Sequence, residues 1–326
     1  MGGKGRNHRR PAAIWPAQPD AASLAAVVVL SRGRCGLSKC VTYYLVAMAV
    51  TDLLVIITAV ILNRITYTFF VNSLLSITPA CSLSTALIYF SRDCSVWLTV
   101  AFTFDRFVAI CCLELKRRYC NEKSAAVVIS VVCFLATVKN IPYYFVYQPL
   151  YILDGVPRFC DYKLSFYTEP VWIAYDWLDQ LLTPCIPFLL ILLFNVLTIR
   201  HIFVSNRVRR GLRGEKEGKN LEDAETEKRK KSMILLFTIS ASFLFLWMTH
   251  VINFLYVQIK GILYISGFNF GDPRYILQES GNMLSSLSFC TNSFIYAATQ
   301  AKFREELTKT LKYPMTAVTR CFTRQK

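Results

Sequence analysis

The amino-acid sequence predicts an all-α membrane protein, and three observations carry that prediction. Of 326 residues, 54% are hydrophobic and 14% aromatic, while only 18% are charged, against about 25% charged in an average soluble domain. Six apolar stretches each reach the roughly 20 residues that span a bilayer. Lys and Arg fall in the gaps between those stretches and favour alternate gaps, the mark of a fixed orientation in a membrane.

The elements follow in chain order. Residues 1–20 read as an extracellular tail, basic at its start and without an Asn-x-Ser/Thr sequon. The first apolar run, Ala21 to Leu30, has ten residues and covers about 15 Å as a helix, half of the hydrocarbon core. The first helix is therefore expected to be truncated. A basic start before ten apolar residues also has the outline of a signal peptide, but cleavage would place Arg32, Arg34 and Lys39 outside, against the orientation of everything downstream.

Full spans follow at Val41–Leu62, Pro79–Leu113, Ser124–Tyr147, Val171–Phe203, Ser232–Val257 and Tyr275–Ala298. The segment from His201 to Lys231 is charged and low in apolar residues, which reads as mobile or helical at its ends. After the last span, Phe303, Leu307 and Leu311 recur four apart among charges, the pattern of a helix lying in the membrane surface. The sum is a seven-transmembrane helix bundle over residues 21–300, a short amphipathic eighth helix at 301–312 and a cytoplasmic tail at 313–326.

Orientation comes from the basic residues. With residues 31–40, 114–123, 199–231 and the tail after 300 on the cytoplasmic side, that side holds 25 of the 37 Lys and Arg, and the opposite loops hold five. The net charge of +16 is thus a topology signal, with membrane lipids of anionic headgroup and acidic cytosolic partners as its neighbours. A nucleic-acid binder would gather its charge into one stripe on a folded surface, so no nucleic acid is expected as a partner. Under this topology only Cys81 and Cys160 lie on the outer, oxidising side, and they are expected to form a disulfide.

A charged pair, Asp105-Arg106, sits near the end of the third span in FTFDRFVAICC. The 25 residues from Cys81 to Arg106 make about 37 Å of helix, slightly more than the roughly 30 Å core, so Cys81 lies at one interface and Arg106 at the other. By itself that reads as an interface charge whose stem lies along apolar surface.

Six features together carry a resemblance: LVAMAVTDLL in the second span, a cysteine at the outer end of the third with FDRF 25 residues on, Cys160 in the loop that follows the fourth, FLFLW in the sixth, and NSFIY ending the seventh with Phe303-Arg304 beyond. In this order they resemble the rhodopsin-like (class A) G-protein-coupled receptors over about residues 24–312. The wording SVWLTVAFTFDRFVAICC and KNIPYYF is most similar to the branch of orphan receptors numbered 139 and 142, whose relatives include peptide receptors.

The resemblance implies roles. Asp105 would hold Arg106 at rest, and on activation Arg106 would turn inward and offer its planar donors to the C-terminal helix of a heterotrimeric G protein. Asn292 and Tyr296 match the switch that ends the seventh span. Asp52, with Ser95, Ser288 and Asn292, matches a carboxylate and oxygen set for an allosteric sodium ion, with no other cofactor expected; the alternative is a protonated Asp52 hydrogen-bonded inside the bundle. Trp247, with Phe243 a turn away, matches an aromatic toggle, although core aromatics without that role fit as well.

The sequence departs from the family pattern at several points. Ser293 and Thr249 replace prolines, which predicts straighter sixth and seventh helices. Asn195 stands where a fifth-span tyrosine is usual, and Val132 has no tryptophan near it. Arg229 stands at the base of the sixth span where many members carry an acid that locks the switch arginine, so the resting state is expected to be weakly restrained.

A ligand pocket is expected to open outward among Ile88, Tyr89, Arg92, Asp179, Trp247, His250, Asn253, Phe254, Glu279 and Asn282, with Asp93, Lys139, Asn140 and Asp176 as further polar groups in the outer half. Arg92 lies eleven residues below Cys81, about 16 Å, near mid-membrane. There it either receives a ligand carboxylate or pairs with Asp179 or Glu279. Asp93, adjacent on the helix, points about 100° away and is a poor partner for it. Ile88 stands where amine receptors place an aspartate, so the resemblance implies an extracellular aromatic amino acid or short peptide rather than a monoamine. A transporter or channel, and a signalling-defective decoy with an incomplete first helix, are the rival readings. The three histidines are widely separated and no nucleophile-base motif stands out, so no enzyme is expected.

Overall fold

Helices carry most of the chain in this computed structural model, which describes residues 18–33, 35–69, 73–212, 219–260 and 271–310. Helix α1 is Gln18–Ser31, 14 residues, longer than the apolar run because polar Gln18 and Asp20 join its first turn. Helix α2 starts at Lys39, where the Ser38 hydroxyl accepts from the Val41 amide, and runs as an α-helix to Val55 and as a π-helix over Ile56–Ile65. Helix α3, Thr78–Cys111, has 34 residues, and α4 is Glu122–Asn140, capped by the Asn121 carbonyl, which accepts from the Ser124 amide at 2.9 Å.

Helix α5 comprises Pro170–Gln180 and Ile186–Leu212, joined by a π-helical turn at Leu181–Cys185 in which Thr183 leaves helical geometry beside Pro184. Helix α6 is Lys219–Lys260, 42 residues, and α7 is Pro273–Thr299, with Pro273 in its first turn and Asp272 accepting from the Arg274 amide. The hydrogen-bonded Arg274 guanidinium keeps the Asp272 carboxyl below the usual carboxylate range. A last helix, α8, covers residues 301–310.

Among the described residues, five helices are long and apolar enough to cross a bilayer by themselves: Lys39–Asn63, Thr78–Cys111, Glu122–Tyr144, Pro170–Ser205 and Lys230–Lys260. Helix α7 has the length but carries Glu279, Asn282 and several serines, and packing inside the bundle compensates for that polarity. The charged segment between the fifth and sixth spans is helical at both ends, with α5 reaching Leu212 and α6 starting at Lys219. Helices α6 and α7 run without a break through Thr249 and Ser293. The irregular backbone lies elsewhere, in α2 and α5.

The core stacks in three layers. Near the cytoplasm, Leu45, Met48, Leu98, Phe102, Leu236 and Tyr296 pack with Phe303 of α8, which ties the amphipathic helix to the bundle. Val96, Ile191, Phe243, Trp247 and Phe289 fill the middle. At the outer end Tyr143, Val146, Tyr147 and Phe166 pack with Tyr89 and Trp172. Apolar residues such as Phe134 and Phe245, 66% and 68% exposed, face outward, as a lipid-facing surface allows.

One feature departs from an all-helical chain. The loop after α4 forms two short antiparallel ladders: β1 (Tyr147–Gln148) with β4 (Asp161–Tyr162), and β2 (Tyr151–Leu153) with β3 (Val156–Arg158). Asp154 and Gly155 turn the hairpin with φ of 53° and 76°, the two left-handed residues of a tight turn that matches strand twist. The Cys81–Cys160 disulfide pins this loop to α3, and the Thr78 hydroxyl donates to the Phe159 carbonyl at 2.8 Å beside it.

Gly281 sets how closely α6 and α7 approach, since a Cβ there would lie 3.1 Å from the His250 Cα and 3.2 Å from its backbone nitrogen. Gly281→Val is expected to force the helices apart at a cost of about 1–3 kcal/mol, the usual penalty of overpacking. A lowered thermal-unfolding midpoint in detergent is the readout, and an unchanged midpoint would refute the close approach.

Candidate functional site

The functional side chains occupy three levels along the bundle. At the cytoplasmic level, Arg106 Nε donates to Asp105 Oδ2 at 3.0 Å and Nη2 donates to the same oxygen. Both residues are buried. The other oxygen of Asp105 accepts from the Cys40 thiol of α2 at 3.2 Å, and the Cys120 thiol approaches the Asp105 backbone carbonyl at 3.6 Å. Arg106 Nη1 reaches the Ser232 hydroxyl of α6 at 3.4 Å. The switch pair is thus gripped from α2 and tethered to α6 by one long neutral contact. Arg229 is on α6, but its side chain lies outside the described residues.

Tyr296 is fully buried against the edge of the Phe303 ring, and its hydroxyl makes no hydrogen bond. Asn195 donates to the Ile191 carbonyl one turn back at 2.7 Å, while its own carbonyl oxygen is buried without a partner.

At mid-bundle, Asp52 accepts from the Ser95 hydroxyl at 2.5 Å and from Asn292 Nδ2 at 2.8 Å. Ser288 does not join them. Its oxygen accepts from the Trp247 indole N–H at 2.9 Å and its proton goes to the Ser285 carbonyl at 2.6 Å. The Trp247 indole takes it because a buried N–H needs a partner. Ser95, Ser288 and Asn292 nevertheless border one small cavity with Thr99 and Ser242. Among the described residues Asp52 has no cationic hydrogen-bond partner, and hard oxygen donors beside a carboxylate are the kind of set a small cation takes. Trp247 also stacks on Phe243 at 5.5 Å and meets His250 edge-on at 5.6 Å.

The outer level divides the expected ligand pocket in two. On the α3–α4–α5 side, Arg92 Nη2 donates to Asp179 Oδ2 at 3.0 Å. Lys139 of α4 bridges Asp93, at 2.6 Å, and Asp179, and Asn140 adds a bond to Asp93 at 2.7 Å. Arg92 comes within 3.8 Å of Asp93 without a hydrogen bond, as their angular separation on the helix implies. Tyr89 lies under the Arg92 guanidinium at 4.7 Å, stacks on Tyr143 at 4.0 Å and shares a hydrogen bond with Tyr162 of β4 at 2.8 Å. Ile88 is half-buried beside it.

On the α6–α7 side, Glu279 accepts from Asn282 at 3.2 Å, so of the two carboxylates considered for Arg92 it is Asp179 that forms the hydrogen bond. Asn253 is buried, and Phe254 meets Trp177 edge-on at 6.1 Å.

The family model of the 7 transmembrane receptor (rhodopsin family) matches residues 23–296. The chain belongs to the rhodopsin family of seven-transmembrane receptors. It is therefore a multi-pass membrane protein of a signalling-receptor family, and that family's extracellular ligands and G proteins define the two ends of the bundle described above.

Sequence reasoning did not single out Cys40, Ser232 or the outer hairpin of this rhodopsin-family receptor. For the hairpin a signal existed, since Asp154-Gly155 between apolar residues is a two-residue turn. For Cys40 and Ser232 none existed, because a thiol or hydroxyl in a helix declares no partner. Loss of one hydrogen bond to a charged group costs about 1.5–3 kcal/mol, so Asp105→Asn should raise basal nucleotide exchange by roughly tenfold or more. Ser232→Ala, which removes one long contact, should raise it less. Equal basal rates in both variants and the parent, at matched surface expression, would refute the restraint.

Proposed function

We propose that this chain is a plasma-membrane receptor that converts the binding of an extracellular aromatic amino acid or short peptide into nucleotide exchange on a heterotrimeric G protein. The observation that carries the reading is the clamp at the cytoplasmic end of α3. Arg106 keeps a planar set of donors bound to its own neighbour and to α6, buried at the face that a Gα subunit would meet. An outward swing of α6 would break the Ser232 contact and leave Arg106 free to turn inward. Tyr296 and Asn195, each with a buried oxygen lacking a partner, would then accept from it or from each other.

Family membership supports the two ends of this reading, and the resemblance to the branch of orphan receptors numbered 139 and 142 supports the ligand class. Tyr89 on α3 and Phe254 on α6 bring aromatic rings to both sides of the outer bundle, which suits an aromatic ligand, with Trp247 below them in the middle layer. Asp52, Ser95, Asn292 and the oxygen of Ser288 would hold an allosteric sodium ion, which would favour the resting packing by neutralising the buried carboxylate. The domain reading follows the same lines, with 21–300 as the receptor bundle, 301–312 as the membrane-surface helix, and outer and inner tails beyond them.

Purified receptor in nanodiscs with a panel of Gα subunits tests the proposal. At least one Gα should exchange nucleotide faster with receptor than without it, and Arg106→Ala should remove that acceleration at normal surface expression. Arg229→Glu should lower basal exchange by placing an acid near Arg106. Acceleration by no Gα would sink the proposed function, and unchanged basal exchange in Arg229→Glu would sink the missing-lock idea.

A further inference from the structure

Four ionised side chains meet where α3, α4 and α5 touch: Arg92, Asp93, Lys139 and Asp179. Their formal charges cancel, yet their exposure differs. The side chains of Arg92 and Lys139 are each 16% exposed, against 1% for Asp93 and 0% for Asp179. The cations are the accessible members of the cluster and the carboxylates the enclosed ones.

The donors are not used up. Arg92 makes its one hydrogen bond through Nη2, and its Nε is buried without a partner. Lys139 spends two of its three N–H groups. The acids are differently placed: of the two cations only Lys139 hydrogen-bonds both, and Asn140 also donates to Asp93. If Arg92 turned away, neither carboxylate would be left unpaired. Lys139 is therefore the fixed counter-ion of the cluster and Arg92 the exchangeable one.

We propose that Arg92 and Lys139 form an oxyanion subsite that takes the carboxylate of a ligand entering from the outer side, and that Asp179 competes with that carboxylate for Arg92. This rests on the receptor reading above and deepens it. A planar guanidinium accepts a carboxylate bidentately, and the Tyr89 ring stacked beneath it holds its plane. An added carboxylate bonds Arg92 by taking the Nη2 donor from Asp179, and Asp179 keeps Lys139 when it gives that donor up. Ligand binding thus loosens α5 at Asp179, two residues before its π-helical turn at Leu181–Cys185.

The test uses the full-length receptor in nanodiscs with four probes: 3-phenylpropanoate, L-phenylalanine, L-phenylalaninamide, which lacks the carboxylate, and oleate. Thermal-unfolding midpoint and nucleotide exchange on a purified G protein are the readouts. Both aromatic carboxylates should raise the midpoint and the amide should not. Arg92→Gln should abolish the shift, with Arg92→Lys as the variant that keeps the charge but loses the planar donors and so binds more weakly.

Asp179→Asn should lower the concentration for half-maximal shift by about tenfold, the equivalent of one charge-assisted hydrogen bond released to the ligand. Lys139→Gln should raise it, because both acids then fall back on Arg92. A purely structural cluster would weaken binding in both variants, and that result would overturn the proposal, as would equal shifts by acid and amide. A shift by oleate alone, delivered from the bilayer, would overturn the outer-side entry. Nucleotide exchange without any carboxylate effect would overturn the subsite and leave the receptor reading standing, whereas a carboxylate shift with no exchange on any Gα would do the reverse.

Discussion

A charge held inside a helical bundle in lipid has to find its opposite on the protein itself, because neither hydrocarbon nor a packed core will solvate it. Much of what positions the functional side chains here follows from that constraint. Asp105 and Arg106 satisfy each other at the end of α3, and the remaining carboxylate oxygen takes the Cys40 thiol of α2. Arg92, Asp93, Lys139 and Asp179 satisfy one another across three helices. Asp52 has no cation and relies on a serine and an asparagine. The three solutions differ in how firmly they hold, and the differences suit a molecule that has to change state.

The two charged clusters act at opposite ends of the bundle, joined by a middle layer of neutral, tightly packed aromatics. Trp247 is bonded to Ser288 of α7 and stacked on Phe243 of its own helix, while Gly281 lets α6 and α7 lie backbone against backbone. Such a layer transmits displacement, because close-packed side chains have few ways to absorb it. Irregular backbone lies in the π-helical segments of α2 and α5 rather than in α6 or α7. The usual prolines of the last two spans are absent, and both helices run unbroken.

The outer loop shows how local rules serve the site. An Asp-Gly turn folds the hairpin, a disulfide ties it to α3, and Tyr162 then reaches the hydroxyl of Tyr89. The aromatic platform under Arg92 is therefore built partly from a loop distant in sequence. A pocket list assembled from span positions alone treats Tyr89 and Phe254 as lining of one cavity, whereas they sit in separate aromatic groups, one under the loop and one against Trp177.

By itself the sequence located the apolar helices in order, the disulfide and the Asp-Arg pair, and its charge count predicts the side of the membrane each loop faces. These are properties of hydropathy, charge counting and helix rise, each additive along the chain. Only the tertiary structure decided which charges pair. Arg92 had Asp179 and Glu279 as equal candidates, and Lys139 and Asn140 were only polar residues of a fourth span. Their selection depends on how α3, α4 and α5 rotate about their axes and on the break in α5, which sequence spacing does not encode. Likewise Ser288 does not bond Asp52, because its proton goes to the Ser285 carbonyl while its oxygen accepts the Trp247 indole N–H, a contact that exists only once the helices are packed.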